Sequence, residues 1–347
     1  MKNSFVTLNA SDRALVISQT AQRVQLPPNV VEKDWWVTAV LRAVLGTSCS
    51  KHISFKGGTS LSKAWGVIER FSEDVDLALS HAFFSIVPTT RSQRMKLRKE
   101  SRTFLTGKFS VEIADRLNKM GVRDFEVVPV TRVNTNGGEV DIDGDKDPTV
   151  LLIKYHSVLN SSLQYVQPMV KLEISCLSMS EPTEKRLISS IIAQQFPQIE
   201  NADAVEIATV VPTRTFLEKA FLLNEEYQKQ KPRSLRMSRH LYDLERLMDT
   251  RFAEEALKNS ALYKAVMEHR KIFYALKQVD YGANSPSRIR IVPPSECLPE
   301  WQDDYTQMRK TFIYGDSLSF DELIHRMEQL QERFHGLAAS HDERGKG

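Results

Sequence analysis

Several things are missing from this chain of 347 residues, and each absence closes a class of protein. Its three cysteines, Cys49, Cys176 and Cys297, lie far apart and form no CxxC pair. An odd number of scattered thiols suits neither a disulfide framework nor a zinc knuckle. A reducing, cytoplasmic setting is the expectation that follows. No run approaches the roughly 18 apolar residues of a membrane helix, so no membrane partner is expected. The opening "MKNSFVTLNASDR" has no apolar signal-peptide core. The eight histidines show no metal-ligand spacing, and no internal repeat or long low-complexity run is visible. Charge of one sign is also missing: 47 basic against 44 acidic residues leave +3, so any polyanion partner would have to be met by local clusters.

What is present is enough apolar residue, 41%, for a sizeable core, and a length that suits two domains. Residues 10–25 read as a helix capped by Ser11. The stretch from Val30 to Leu45 reads as a second, stopped by Gly46. "HISF" reads as a strand, "SLSKAWGVIER" as a helix and "DVDLAL" as a strand. Residues 91–120 are helical. "FEVVPVTRV", "TVLLIKYHSV" and "MVKLEISCL" read as strands, with Asn136-Gly137 as a hairpin turn. After 180 the pattern becomes mostly helical, with a Thr215–Glu218 capping box opening "TFLEKAFLLNEEYQKQ". The tail from 339 reads as disordered. The expected architecture is α+β over 1–180, followed by a helical domain over 181–347.

The most informative stretch is "FKGGTSLSKAWGVIERFSEDVDLAL", residues 55–79. In a strand, Asp74 and Asp76 face the same way while Val75, Leu77 and Leu79 anchor the other side. Two same-face carboxylates repel unless a cation lies between them. Hard oxygen donors at that spacing suit Mg²⁺ or Mn²⁺, and such a site is typical of phosphoryl and nucleotidyl transfer. Upstream, Gly57 and Gly58 permit a close backbone approach, Thr59 and Ser60 stand where a helix begins, and Lys63 lies on its first turn. The Walker pattern GxxxxGK[ST] is absent. A glycine pair or a DxD alone is often only a turn or a chance pairing; their order within one strand-turn-helix-strand unit is what singles them out. Glu173 in "VKLEIS" offers a third acid, with Lys171 on its face; an exposed edge-strand pair is an equal reading.

Together "VEKDWW", "GGTSLSK", "RFSEDVDL", "LEIS", "TFLEKAFLLNE" and "SRHLYDL" resemble the AbiE-type toxin nucleotidyltransferases, within the DNA polymerase β-like superfamily, over about residues 30–250. The resemblance implies a polymerase β-like core with a mixed sheet flanked by helices and a helical C-terminal domain closing the cleft. It implies NTP phosphates at Gly57, Gly58, Thr59, Ser60 and Lys63, and Mg²⁺ or Mn²⁺ held by Asp74, Asp76 and Glu173. Lys219 and Asp243 fall in later motifs and complete the implied catalytic set; a structural salt bridge between their helices is the plainer alternative. Glu32, Lys33 and Asp34 match the family, but their spacing suggests no chemistry. Glu173 departs from the Asp often found at that position in relatives.

The implied activity is transfer of NMP from an NTP to an RNA acceptor, the tRNA 3′ end first among them, by a toxin with a partner antitoxin in toxin–antitoxin or phage-defence systems. Two basic clusters, residues 91–102 and 229–240, could meet an RNA backbone or be ordinary solvated faces. Transfer to a protein side chain and a non-catalytic nucleotide- or RNA-binding module are the rival readings. "DIDGDKDP" has its glycine misplaced for a calcium loop and reads as a plain loop.

Overall fold

A computed structural model describes residues 4–72, 74–135, 138–159, 167–179, 181–200 and 204–344. The chain divides into two compact units, 1–64 with 72–209, and 65–71 with 210–347. The first unit therefore continues past 180, and the segment between the glycine turn and the DxD belongs to the second.

The first unit is built on strands β1 (Ile53–Lys56), β2 (Asp74–Leu79), β3 (Phe125–Pro129), β4 (Arg132–Thr135), β5 (Gly138–Asp141), β6 (Thr149–Tyr155), β7 (Met169–Ser175), β8 (Thr183–Ile188) and β9 (Val205–Val210). Seven form a mixed sheet in the order β3-β6-β7-β2-β1-β9-β8. β2 lies between antiparallel β1 and parallel β7, so it is central and covered on both edges. Its Val75 and Leu77 are fully buried, as the alternation predicts. β7 is also central, paired on its other side with β6, so Glu173 is not an edge residue. β4 and β5 pair separately, while Asn136-Gly137 lies outside the described residues. β8 and β9 are absent from the sequence reading; β8, "TEKRLI", sits at a sheet end and is too polar to stand out.

The first unit's helices are α1 (Ala10–Val24), α2 (Pro28–Leu45), α3 (Gly57–Lys63), α4 (Arg91–Phe104), α5 (Ser110–Lys119), α6 (Ile191–Gln195) and α7 (Pro197–Glu200). Asn9, not Ser11, caps α1, accepting from the Asp12 N–H. Pro28 at the first turn of α2 supplies a preset φ. α2 packs on β7 and against α1, α5 and α6, and α3 packs on β2. α3 is shorter than its sequence pattern suggests: the chain leaves it at Ala64, and Gly66 takes a φ of +63°. A π-helical turn over Leu105–Phe109 joins α4 to α5.

The second unit is helical: α8 (Pro212–Tyr227), α9 (Ser238–Met248), α10 (Arg251–Lys258), α11 (Ser260–Phe273), α12 (Leu298–Thr311) and α13 (Phe320–Arg344). α8 begins at Pro212, one turn before the expected Thr215, because proline at the first position starts a helix without needing its N–H. α8 packs against α9, α10 and α11, and α13 against α9 and α12. α13 continues to Arg344 where the sequence reading had placed a disordered tail. No helix among the described residues is long and apolar enough to cross a membrane.

Candidate active site

The β1-α3-β2 unit brings the glycine turn and the carboxylates together. Gly57 has a φ of +77°, and a Cβ there would lie 2.7 Å from Asp76 Cγ and 2.9 Å from its Cβ, with Oδ2 closer still. The missing side chain is the space that the Asp76 carboxylate occupies. Gly57→Ala should displace Asp76 and strain the turn at once. The expected result is a ~10²-fold loss of transfer, by misplacement of a reacting group, with a stability cost of only about 1–2 kcal/mol. Steady-state rates beside a denaturant melt would check it; wild-type turnover in the variant would refute it.

Thr59 and Ser60 are buried, and their hydroxyls are occupied. Thr59 Oγ1 donates to the Asp74 carbonyl, tying α3 to the start of β2, and Ser60 Oγ donates to the Gly57 carbonyl at 2.8 Å. What this turn offers an anion is therefore backbone N–H, not hydroxyl. Lys63 is also engaged. Its ammonium donates to Asp34 Oδ1 at 2.6 Å and to the Ser189 carbonyl at 2.9 Å, while Asp34 Oδ2 accepts from the Ile191 N–H at 2.7 Å. The family motif "EKD" thus acquires a physical role: Asp34 on α2 fastens the end of α3 and the start of α6.

Register sets the rest. Asp74 pairs with Lys171 and Asp76 with Glu173 across β2 and β7, while Lys56 on β1 pairs with Asp76 from the other side. Residues opposite one another share a face, so three carboxylates and two lysines converge on one side of the sheet centre. Lys171 is ion-paired with Glu173. Burial works against the Lys171 charge, but the hydrogen bond to Glu173 and the charges of Asp74, Glu173 and Asp76 outweigh it and raise its pKa. An ammonium therefore stands among the acids where like charges would otherwise repel. Among the described residues no group of three or more His, Cys, Asp or Glu side chains could hold a metal as placed. Of the three acids on this face, Asp74 and Asp76 carry hard oxygens of the kind that would suit Mg²⁺, and Glu173 is ion-paired with Lys171. Sequence reasoning missed Lys56; its only signal was its place one residue before the glycine pair.

In the helical unit, Asp243 is fully buried and accepts from Arg70 Nε at 2.7 Å and Nη2 at 2.8 Å. Lys219 joins it at 2.7 Å, the pairing that the two motifs suggest. Arg70, four residues ahead of the DxD in "RFSEDVDL", puts its guanidinium on Asp243. Burial alone would raise the Asp243 pKa, yet the Arg70 and Lys219 cations hold it far below the usual carboxylate range. Burial lowers that of Lys219, with Arg70 adding to the effect against the pull of Asp243. His240 Nδ1 lies 3.4 Å from the Lys219 ammonium, and burial followed by the Lys219 charge pushes its pKa well below 6.5. His240 is neutral when folded and takes a proton when unfolded, so the unfolded state binds more protons below pH 6.5. Stability should fall on acidification from pH 6.5 to 5, approaching about 1.4 kcal/mol per pH unit, and His240→Gln should flatten that slope. Urea melts across this range measure it; equal slopes in both proteins would contradict it.

Cys49 and Cys176 are buried and Cys297 is half-buried, all as free thiols. Burial pushes Cys49 up to about 11, so it is no ready nucleophile. Asp147, in the "DIDGDKDP" loop, accepts from Ser175 Oγ and the Cys176 N–H, a structural use of the acid.

A glycine turn backed onto a mid-sheet DxD, beside a third acid in register, is the kind of arrangement that suits nucleotidyl transfer. The model of the AbiEii family, nucleotidyl transferase toxins of type IV toxin–antitoxin systems, matches residues 41–326, and the chain belongs to that family. It is a nucleotidyltransferase, and an antitoxin partner goes with the family. Among solved structures, MenT4, a nucleotidyltransferase toxin from Mycobacterium tuberculosis, is similar at 15% identity and a TM-score of 0.49, over 93% of this chain and 89% of that one. No curated protein matches.

Proposed function

We propose that this toxin transfers a nucleoside monophosphate from an NTP to an RNA, with the tRNA 3′ end as the foremost acceptor, in the cytoplasm. The observation that carries it is Asp74 and Asp76 side by side on β2, with Gly57 cleared for Asp76 and Glu173 opposite in register. Asp74 and Asp76 would hold Mg²⁺ or Mn²⁺, with Glu173 joining once Lys171 releases it. That ion, when bound, supplies charge stabilisation at the phosphates. The first-turn N–H groups of α3, at Gly57, Gly58, Thr59 and Ser60, take phosphate oxygens, with Lys63 fastening the helix end. An acceptor hydroxyl oxygen attacks the α-phosphorus, the bond to the β-phosphate oxygen breaks, pyrophosphate leaves, and Glu173 takes the hydroxyl proton. The family motifs make Lys219 and Asp243 the further catalytic residues, and within the helical unit Arg70 joins them around the buried Asp243 carboxylate.

RNA is favoured by the outer face of α4, where Arg91, Lys96 and Lys99 are exposed; Arg102 is buried and donates to the Val130 carbonyl. The second basic cluster is weaker, because Glu226 binds both Lys229 and Arg233. The test is incubation of the full chain with each α-labelled NTP, Mg²⁺, total tRNA and cell protein. Label in tRNA is the expected result. Label on protein would move the acceptor, and no label with any nucleotide would leave only a binding module.

A further inference from the structure

Strand register sets a cation against the third acid. Lys171 and Glu173 are two residues apart on β7, so both project from one face, and they are ion-paired. On the β2 side their partners in register are Asp74 and Asp76. On the β6 side they are Leu152 and Val150, which offer no charge. Among these neighbours the Lys171 ammonium finds carboxylates only toward β2 and along its own strand. β7 is a central strand, so this is not the ordinary solvated pair of a sheet edge. The pair is nonetheless within reach of an ion: the Lys171 side chain is 39% exposed and that of Glu173 24%. An ion pair so open to water holds weakly, and a lysine withdraws on its four-carbon stem without moving the strand. Lys56, opposite Asp76 on β1, adds a second cation to the same face. The two lysines offset most of the charge of the three carboxylates, and each ammonium weakens the hold on a divalent ion.

We propose that Lys171 is a tethered competitor for that ion: its ammonium keeps Glu173 out of the ligand set, and the ion gains the third carboxylate only by displacing it. This rests on the reading of Asp74 and Asp76 as the metal pair. Lys171 is then a positioning residue that sets how tightly, and with how many acids, the ion is held. The consequence is a toxin whose ion requirement is tuned by one lysine. Affinity for a hard cation rises with the number of charged ligands, so removing the ammonium should tighten the ion. A lysine whose task was to hold the acids in place would give the opposite sign, because its loss would loosen the ion.

The experiment is a titration of the full chain with Mn²⁺ and no nucleotide, followed by loss of the free-ion paramagnetic resonance signal. Lys171→Met, which keeps the stem and removes the charge, should tighten Mn²⁺ about tenfold, or about 1.4 kcal/mol. Lys171→Gln, a second neutral variant, should do the same. Lys171→Arg keeps the charge and should stay within about twofold of the parent. Glu173→Gln removes the contested carboxylate, and in that background Lys171→Met should gain about twofold at most. Thermal melts beside the titrations separate changed binding from changed fold. If Asp74→Ala with Asp76→Ala abolishes Mn²⁺ binding, an unchanged or weaker hold in Lys171→Met, or an equal gain with and without Glu173→Gln, would overturn the competition and leave the metal pair standing. Mn²⁺ binding that survives Asp74→Ala with Asp76→Ala, or its absence from every variant, would overturn the metal pair and the competition with it.

Discussion

Replacing Asp74 and Asp76 by alanine should reduce nucleotide transfer by about 10³-fold each, or roughly 4 kcal/mol of transition-state stabilisation. The two carboxylates are half-buried and lie on one face of the central strand, where the proposed metal would be held. Their loss should leave the fold intact, because Val75 and Leu77 on the opposite face carry the packing. The melting midpoint should move by only a few degrees, and Lys171 should keep its bond to Glu173. Single-turnover rates with labelled NTP beside a thermal melt test both halves. Asp74→Asn is a useful companion, since it keeps volume and removes charge. Full activity in Asp74→Ala and Asp76→Ala would remove the metal assignment, while a collapse of the melt would mean that the acids are structural.

Asp243→Ala should have the opposite signature, a large stability loss. The aspartate is fully buried and is the shared acceptor for Arg70 and Lys219. Removing it leaves two cations facing one another without compensation, a change that costs about 3–5 kcal/mol. Denaturant melts followed by a probe in the helical unit should show the loss. Asp243→Asn should recover part of it through hydrogen bonding. The pH dependence has a definite sign. A carboxylate held below its unfolded value contributes stability above about pH 4, and that contribution is lost as pH falls further. It adds to the earlier loss that His240 imposes below pH 6.5. A variant as stable as the parent would show that the buried triad adds nothing net, as some buried ion pairs do not.

These two sets of substitutions separate what sequence could and could not convey. Period-two alternation was enough to find β2, β6 and β7, because one face of each strand must be apolar to bury. It was not enough for β8, whose polar residues sit at a sheet end. The helix over 60–70 was overextended because helical spacing continues past Lys63, whereas backbone geometry at Gly66 does not.

By itself the sequence determined the same-face pair Asp74 and Asp76, the glycine turn ahead of them, the Glu173 strand and the family resemblance. All of these are local: they depend on the two-residue period of a strand, the freedom of glycine and the order of short motifs. Tertiary structure alone decided which partner each charge receives. It set Lys56 and Lys171 beside the acids through strand register, gave Lys63 to Asp34, and joined Arg70 to Asp243 across 173 positions. Periodicity tells which side of an element a residue occupies; which charge or ring waits there is set by elements distant in the chain, and only packing brings them together.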